Sequence, residues 1–315
     1  MSQTRFSVLI HQQAKKYGDR VALKHRDYKT NTWIPTTWNQ FSDAVRKVSN
    51  SLIELGVEVQ ENIGVFTQNK PESLFMDFGA FGVRAVTVPL YATSSEAQVH
   101  YILEDASIRY LFVGEQQQYD VAFRVMALSS TLKQIVVFDR DVKFDERDES
   151  TIYFDDFLAL AKDGQHQAEV DKRTSESDTE DLMNILYTSG TTGIPKGVKI
   201  TRKSVLNLAA HYADAQNLTN GDIYALYPSI GFDAGYKSIF KVLYSGAQLV
   251  IIPEDIKYDM DKLTTCKKLG ASILFVGDDW YDTEKWNKYE EEFAKEGIKI
   301  IYFPYTRGIS STRIT

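Results

Sequence analysis

The chain has 315 residues, with 36 Lys and Arg against 43 Asp and Glu for a formal net charge of −7, so long-range attraction to nucleic acid or to anionic lipid is not expected. Hydrophobic residues at 43%, charged at 25% and aromatic at 12% are those of a globular protein and exclude collagen-like, disordered and coiled-coil chains. The single cysteine, Cys266, excludes an intrachain disulfide and a cysteine-based zinc site and is expected as a partly buried structural thiol. The apolar run Val8-Leu9-Ile10 is too short for a signal peptide. No stretch approaches the roughly 18 apolar residues of a membrane span, so the expectation is a cytoplasmic protein without one.

In chain order, Phe41, Ala44, Val45, Val48, Leu52 and Leu55 form the stripe of an amphipathic helix, with Gly56 where a C-terminal stop belongs. Asn62 to Thr67 reads as a strand, Pro71 to Gly82 as a helix with proline in its first turn, and Ala85 to Pro89 as a second strand. Thr93 and Glu96 have capping-box spacing ahead of a helix through Val99, Ile102 and Leu103. Tyr110 to Val113 and Ile135 to Phe138 follow as strands. Between Asp139 and Asp181 the sequence turns polar and charged, apart from Ile152 to Leu160, and predicts an exposed connection with one short helix. Leu182 to Tyr187 is an apolar strand, Val198 to Ile200 a returning one, and Thr201 caps a helix carrying Val205, Leu208 and Ala209. Ile223 to Leu226, Gln248 to Ile252, Ile273 to Val276 and Lys299 to Phe303 complete the strands, with a helix over Glu284 to Glu296. The alternation predicts an α/β fold of mainly parallel sheets with covering helices.

The segment from Tyr187 to Gly197 places glycines and hydroxyls in front of a lysine. Glycines bring backbone N–H groups close to phosphate oxygens, hydroxyls add donors, and Lys196 supplies a mobile positive charge. It is neither a Walker A loop nor a GxGxxG dinucleotide turn. YTSGTTGIPKGV resembles the phosphate-loop signature of the adenylate-forming (AMP-binding) superfamily, which includes acyl-CoA synthetases, amino-acid adenylation domains and luciferases. The stretch NIGVFTQNKPESLFMDFGAFGVRAVTVPLYATSS is similar to the N-terminal domain of long-chain fatty-acid CoA ligases.

The resemblance implies a ligase that activates a small-molecule carboxylate with ATP and Mg2+ and passes the acyl group to the thiol of CoA or of pantetheine on a carrier protein. Carried over residue by residue, it assigns nucleotide binding to Thr188, Ser189, Gly190, Thr191, Thr192, Gly193 and Lys196. Past Thr201 the Leu-Pro-Leu-x-His passage usual in long-chain ligases is replaced by Tyr227-Pro228-Ser229-Ile230-Gly231-Phe232-Asp233. This is more similar to amino-acid adenylation domains, in which the aspartate of the Phe-Asp pair receives the substrate ammonium. Asp233 takes that role, or caps the helix over residues 234–245; fatty acid and amino acid both stay open.

From residue 262 the chain resembles the C-terminal part of glycerol-3-phosphate cytidylyltransferases, carried by Val276-Gly277-Asp278-Asp279-Trp280 and by Gly308-Ile309-Ser310-Ser311-Thr312. In that family the second turn binds nucleotide phosphates, which makes Gly308, Ser310, Ser311 and Thr312 a tail phosphate site. The expected organisation is a partial AMP-binding domain over residues 1–260, mosaic near 201, followed by a Rossmann-like cytidylyltransferase fragment over 261–315. His11, His25, His100, His166 and His211 contain no His-x-x-His or His-x-Gly-His pair, so the tail is expected to transfer no cytidylyl group. The Tyr-Gly-x-Thr-Glu passage and the ribose-binding aspartate of adenylating enzymes are not found either, and the catalytic residues stay unassigned. Carboxylate activation is therefore expected to be impaired or absent, with a cytidylyltransferase-related or a non-catalytic recombined protein as the alternatives.

Overall fold

The computed structural model describes residues 6–27, 30, 32–189, 195–231, 233–252, 262–270, 272–277, 282 and 284–303. Among these residues thirteen strands form two sheets.

The first is built from β3 (Asn62–Phe66), β4 (Val86–Leu90), β5 (Tyr110–Val113), β6 (Gln134–Val137), β7 (Ile152–Tyr153), β8 (Leu182–Ser189) and β9 (Pro195–Thr201) in the order β7-β6-β5-β3-β4-β8-β9. All of its neighbours pair in parallel except the edge hairpin β8–β9. The second contains β1 (Val21–Asp27), β2 (Thr32–Thr37), β10 (Ile223–Leu226), β11 (Gln248–Ile251), β12 (Ile273–Gly277) and β13 (Lys299–Phe303) in the order β13-β12-β10-β11-β1-β2. Only the edge strand β2 runs antiparallel there. Both sheets are thus mainly parallel. The strands from the tail, β12 and β13, continue the sheet of β10 and β11.

Parallel strands in the middle of such sheets are buried on both faces, so alternate side chains must find a core on each side. Ile63 and Val65 of β3, Tyr110 and Phe112 of β5 and Val136 of β6 enter one core. Phe66, Leu111, Val113, Ile135 and Val137 enter the opposite one. The latter is closed by α4 (Glu96–Asp105) and α5 (Gln116–Met126). The former is closed by α2 (Trp38–Glu54) and α3 (Pro71–Gly82), with Phe154, Phe157 and Val170 from α6 (Phe154–Leu158) and α7 (Gln167–Ser175).

The other faces of α2 and α3 meet α1 (Leu9–Tyr17), α8 (Arg202–Ala215), α9 (Asp233–Ser245) and the second sheet. There Phe41, Phe78, Phe81 and Phe240 form a run of edge and tilted aromatic contacts at 5.5 to 6.3 Å. Beyond the second sheet, α10 (Lys262–Leu269) and α11 (Glu284–Lys295) cover Ala225, Val250 and Ile252 with Cys266, Trp286 and Phe293. Helices and sheets therefore alternate in five layers, with α2 and α3 in the shared middle one.

Several expectations need correction. The capping box ahead of α4 is Ser95 with Gln98, not Thr93 with Glu96: Ser95 caps the helix, and the Gln98 side chain accepts from the Ser95 N–H at 2.9 Å. The polar stretch 139–181 holds β7 and two helices instead of one, because Phe154, Phe157 and Val170 bury against the inner face of the first sheet. Cys266 is wholly buried. Pro71 at the start of α3 and Thr201 capping α8 stand where they were expected.

α2 and α3 approach closely because Gly79 has no side chain. A Cβ there would lie 2.3 Å from Cγ1 of Val48, and the Ser49 hydroxyl donates to the Gly79 carbonyl at 2.9 Å. Gly79→Ala is expected to lower stability by about 1–3 kcal/mol through overpacking, read as a lower urea midpoint. In the Val48→Ala background the penalty should shrink, so that a double-mutant cycle returns a coupling of about 0.5 kcal/mol or more.

Candidate functional site

In open parallel sheets, ligands bind beyond the carboxyl ends of strands where the chain order reverses direction. The first sheet reverses at β3, flanked by β4 and β5, and the second at β10, flanked by β11 and β12. One side chain ties these two ends together. Asn69, just after β3, donates through Nδ2 to the Pro228 carbonyl at 2.8 Å and accepts through Oδ1 from the Ile230 N–H at 2.9 Å.

Around this tie, Tyr91 follows β4 and its hydroxyl donates to the Tyr187 carbonyl at 3.1 Å. Gly231 admits that ring, since a Cβ at this position would lie 2.8 Å from Cδ1 of Tyr91. Burial and the nearby charge of Asp233 push the Tyr91 phenol up. The loop after β10, the end of β4 and the first turn of α9 thus converge beside the end of β8.

Of the expected phosphate-loop residues, Thr188, Ser189 and Lys196 are described, whereas Gly190, Thr191, Thr192 and Gly193 lie outside the described residues. Thr188 is paired directly opposite Lys196, and Ser189 opposite Pro195, in the antiparallel β8–β9 ladder. Opposed residues of such a ladder share a face, with Cβ atoms about 4.5–5.5 Å apart. The Thr188 hydroxyl is buried with no hydrogen-bond partner among the described residues, while Lys196 is exposed. An unpaired donor and a mobile ammonium on one face are a fitting pair for a phosphate oxyanion.

The root of the same hairpin is clamped. Asp181 accepts two bonds from Arg84, at 2.8 and 2.9 Å, and faces the Arg202 guanidinium at 3.6 Å. Arg202, the first residue of α8, donates to the Phe81 carbonyl at 2.9 Å, and burial pushes its guanidinium down to about 10.

Asp233 is the first residue of α9, so it lies in the helix's first turn instead of capping it from outside. A carboxylate there is favoured by the helix dipole. It accepts from Lys237, one turn on, at 2.8 Å. Both line a cleft of about 90 Å3 between α8 and α9. Its apolar wall is Leu186, Ile200, Val205, Leu208 and Phe240, and Asn184, Ser204 and Tyr236 supply polar groups.

Beneath the cleft lies Asp77 of α3, 2% exposed, whose carboxyl accepts from the Tyr236 hydroxyl at 3.1 Å. Asn184 donates to the Thr87 hydroxyl at 2.7 Å. None of Asn69, Asp77, Tyr91, Tyr236 or Lys237 was singled out from sequence. A lone carboxylate in the apolar run Phe-Met-Asp-Phe-Gly-Ala-Phe-Gly was the available signal for Asp77, since an unpaired Asp is almost never fully buried.

Among the described residues no group of three His, Cys, Asp or Glu side chains is placed to hold a metal ion, and no helix is long and apolar enough to cross a membrane. The tail phosphate residues Gly308, Ser310, Ser311 and Thr312, and Asp278 to Trp280, lie outside the described residues.

Residues 10–283 match the AMP-binding enzyme family. The chain is 26% identical to long chain acyl-CoA synthetase 4 of Arabidopsis thaliana, across 95% of this chain and 46% of that protein. It is also 26% identical to surfactin synthase subunit 1 of Bacillus subtilis (strain 168), across 85% of this chain and 7% of that protein. It thus spans about half or less of the length of the curated relatives it matches. Among solved structures, the anthranilate CoA ligase AuaEII in complex with anthranoyl-AMP superposes with a TM-score of 0.73 at 22% identity, over 87% of this chain and 50% of that one. The N-terminal domain of FACL13 from Mycobacterium tuberculosis superposes with a TM-score of 0.73 at 18% identity, over 98% and 76%. The α/β fold with mixed sheets is that of the N-terminal domains of these enzymes, and with the family match running through both sheets the chain belongs to the AMP-binding enzymes.

Proposed function

We propose that this chain carries the nucleotide and acid sites of a ligase that activates a carboxylic acid with ATP. The observation that carries the reading is the Thr188–Lys196 pair where β8 ends and β9 begins, a buried hydroxyl with no partner among the described residues opposite an exposed lysine, in a member of the AMP-binding enzymes. Thr188, Ser189, Gly190, Thr191, Thr192, Gly193 and Lys196 hold the β- and γ-phosphates through hydroxyls, backbone N–H groups and the lysine charge. Magnesium, arriving with ATP, neutralises phosphate oxygens. The acid's carboxylate oxygen forms a bond to the α-phosphorus as the bond to the bridging oxygen of pyrophosphate breaks, leaving an acyl-adenylate. Positioning and charge neutralisation carry such a transfer. A thiol of CoA, or of pantetheine on a carrier protein, then takes the acyl group and AMP leaves.

The cleft between α8 and α9 receives the acid's apolar body, with Asp233 at its edge. An amino-acid substrate would place its ammonium where Lys237 now pairs with Asp233, whereas a simple fatty acid makes no use of that carboxylate. Cytidylyl transfer by the tail is the weaker reading. The five histidines sit on separate elements: His11 bonds Ser42, His100 the Leu128 carbonyl and His166 Glu54, with His25 in β1 and His211 in α8. They form no cluster to stabilise a leaving pyrophosphate.

Lys196→Ala is expected to weaken Mg-ATP binding about 10-fold or more, because a charge-assisted hydrogen bond contributes about 1.5–3 kcal/mol. Isothermal calorimetry measures it, and an unchanged affinity would sink the assignment. Asp233→Ala should lower the affinity for norleucine and leave that for hexanoate, which has the same carbon chain without the amino group. Equal losses for both acids would return Asp233 to a role in the helix alone.

A further inference from the structure

The cleft rests on a buried polar relay. Asp77, Thr87, Asn184 and Tyr236 come from α3, β4, β8 and α9, and each is 4% exposed or less. Asn184 and Tyr236 line the cleft, while Asp77 and Thr87 lie behind them. The Tyr236 hydroxyl is turned inward to Oδ2 of Asp77, so the cleft receives the ring and not the hydroxyl. The oxygen of Thr87 accepts from Asn184, and the Thr87 hydroxyl interacts with both the Asp77 carboxyl and the Tyr236 phenol. Oδ1 of Asp77 is buried with no hydrogen-bond partner among the described residues. Two hydroxyls are a sufficient setting for a neutral carboxylic acid. They are a poor one for a carboxylate, which has no positive group to offset its charge.

We propose that Asp77 is a positioning residue for the acid cleft: as the neutral acid it fixes the Tyr236 ring directly and the Asn184 carboxamide through Thr87, forming the floor against which the apolar body of the substrate lies. This rests on the acid-activating reading given above. An ionised Asp77 puts a second negative charge beneath a cleft meant for a carboxylate, in a setting of low dielectric where like charges repel strongly, and draws both hydroxyls toward itself.

The neighbouring charges do not cancel it. Asp233 and Lys237 pair with each other, Arg202 is held by Phe81 and Asp181, and Lys241 of α9 reaches Gln216 at 2.9 Å and the Tyr224 ring. Within the middle layer α2 presents the apolar Phe41, Val45 and Val48 to its neighbours. Burial, opposed by the Thr87 and Tyr236 hydroxyls, pushes the Asp77 carboxyl up to about 7. Burial also brings the Lys241 amine down to about 7, so a control that removes only the Asp77 titration is required.

Binding of hexanoate and of norleucine to the full chain, measured by calorimetry between pH 6 and pH 8.5, provides the test. The native protein is expected to lose affinity at least threefold across this range, with a midpoint near 7. D77N, which keeps an acceptor for Tyr236 but cannot ionise while Lys241 still can, should bind with an affinity that no longer varies. Y236F removes a donor that favours the carboxylate, so the midpoint should move to higher pH.

The same titration is legible without ligand. The folded chain keeps its Asp77 proton while the unfolded chain loses it, so the Tm of the native protein should fall relative to D77N as pH rises from about 4 to about 7, and then level off. An identical binding profile in D77N and the native protein, or an unmoved midpoint in Y236F, would overturn the proposal while leaving the acid reading intact. If D77N does not fold, Thr87→Val takes its place with Y236F, and both must move the midpoint upward. Failure of every form to bind either acid at any pH would overturn the acid reading of the cleft and this inference with it.

Discussion

Two mainly parallel sheets each need helices on both faces, and one layer of helices, α2 and α3 joined by α1, α8 and α9, serves both of them at once. That shared layer is the constraint on which the remaining arrangement depends. At the centre of this layer α3 is buried nearly all round, whereas α2 keeps a polar edge at Asn39, Gln40, Lys47 and Glu54. Gly79 against Val48 sets how closely α2 and α3 approach. The aromatic run from Phe41 through Phe78 and Phe81 to Phe240 then fills the gap on the side of the second sheet.

With the middle layer fixed, the carboxyl ends of β3 and β10 are brought to the same side of the molecule, where Asn69 spans them. The candidate site follows from this placement and not from any one loop. The β8–β9 hairpin supplies the Thr188–Lys196 pair, and α8 and α9 bound the cleft. The relay behind the cleft carries an ionisable group, Asp77, into the interior of the middle layer on α3. A polar group at such a position is coupled to the cleft through packing that has little room to yield.

Much of this was legible where periodicity and burial agree. β3, α3, β4, β5 and β10 read correctly because two-sided burial makes their strands continuously apolar, and because Pro71 marks a helix start. The hairpin β1–β2 is not legible, since β2 is an edge strand with exposed residues and most of β1 is only half-buried, so Lys24, Arg26, Thr32 and Pro35 dilute the alternation. α5 and α7 were missed for a related reason: polar sequences such as Gln-Gln-Gln-Tyr-Asp show their few core contacts, Tyr119 and Val170, only once the sheet is in place. The cap of α4 was set two residues early because two spacings compete there, and the backbone chose Ser95 with Gln98. The run of glycines and hydroxyls ahead of Lys196 is legible as chemistry, yet the opposition of Thr188 to Lys196 is a matter of ladder register. Asp77 and Tyr236, far apart in sequence, gave no sign of meeting.

The Arg84–Asp181–Arg202 cluster has a mechanical consequence. It grips the hairpin where β8 begins and where β9 passes into α8, and Arg202 in turn holds α8 to the end of α3. The hairpin is therefore a cantilever, fixed at its base and loaded at its tip. A load at the tip, at Thr188 and Lys196, acts at the far end from that support and runs along two strands that give Asn184, Leu186 and Ile200 to the cleft. The tip and the cleft are thereby coupled through the strand wall alone, because three charged side chains hold the α8 wall in place.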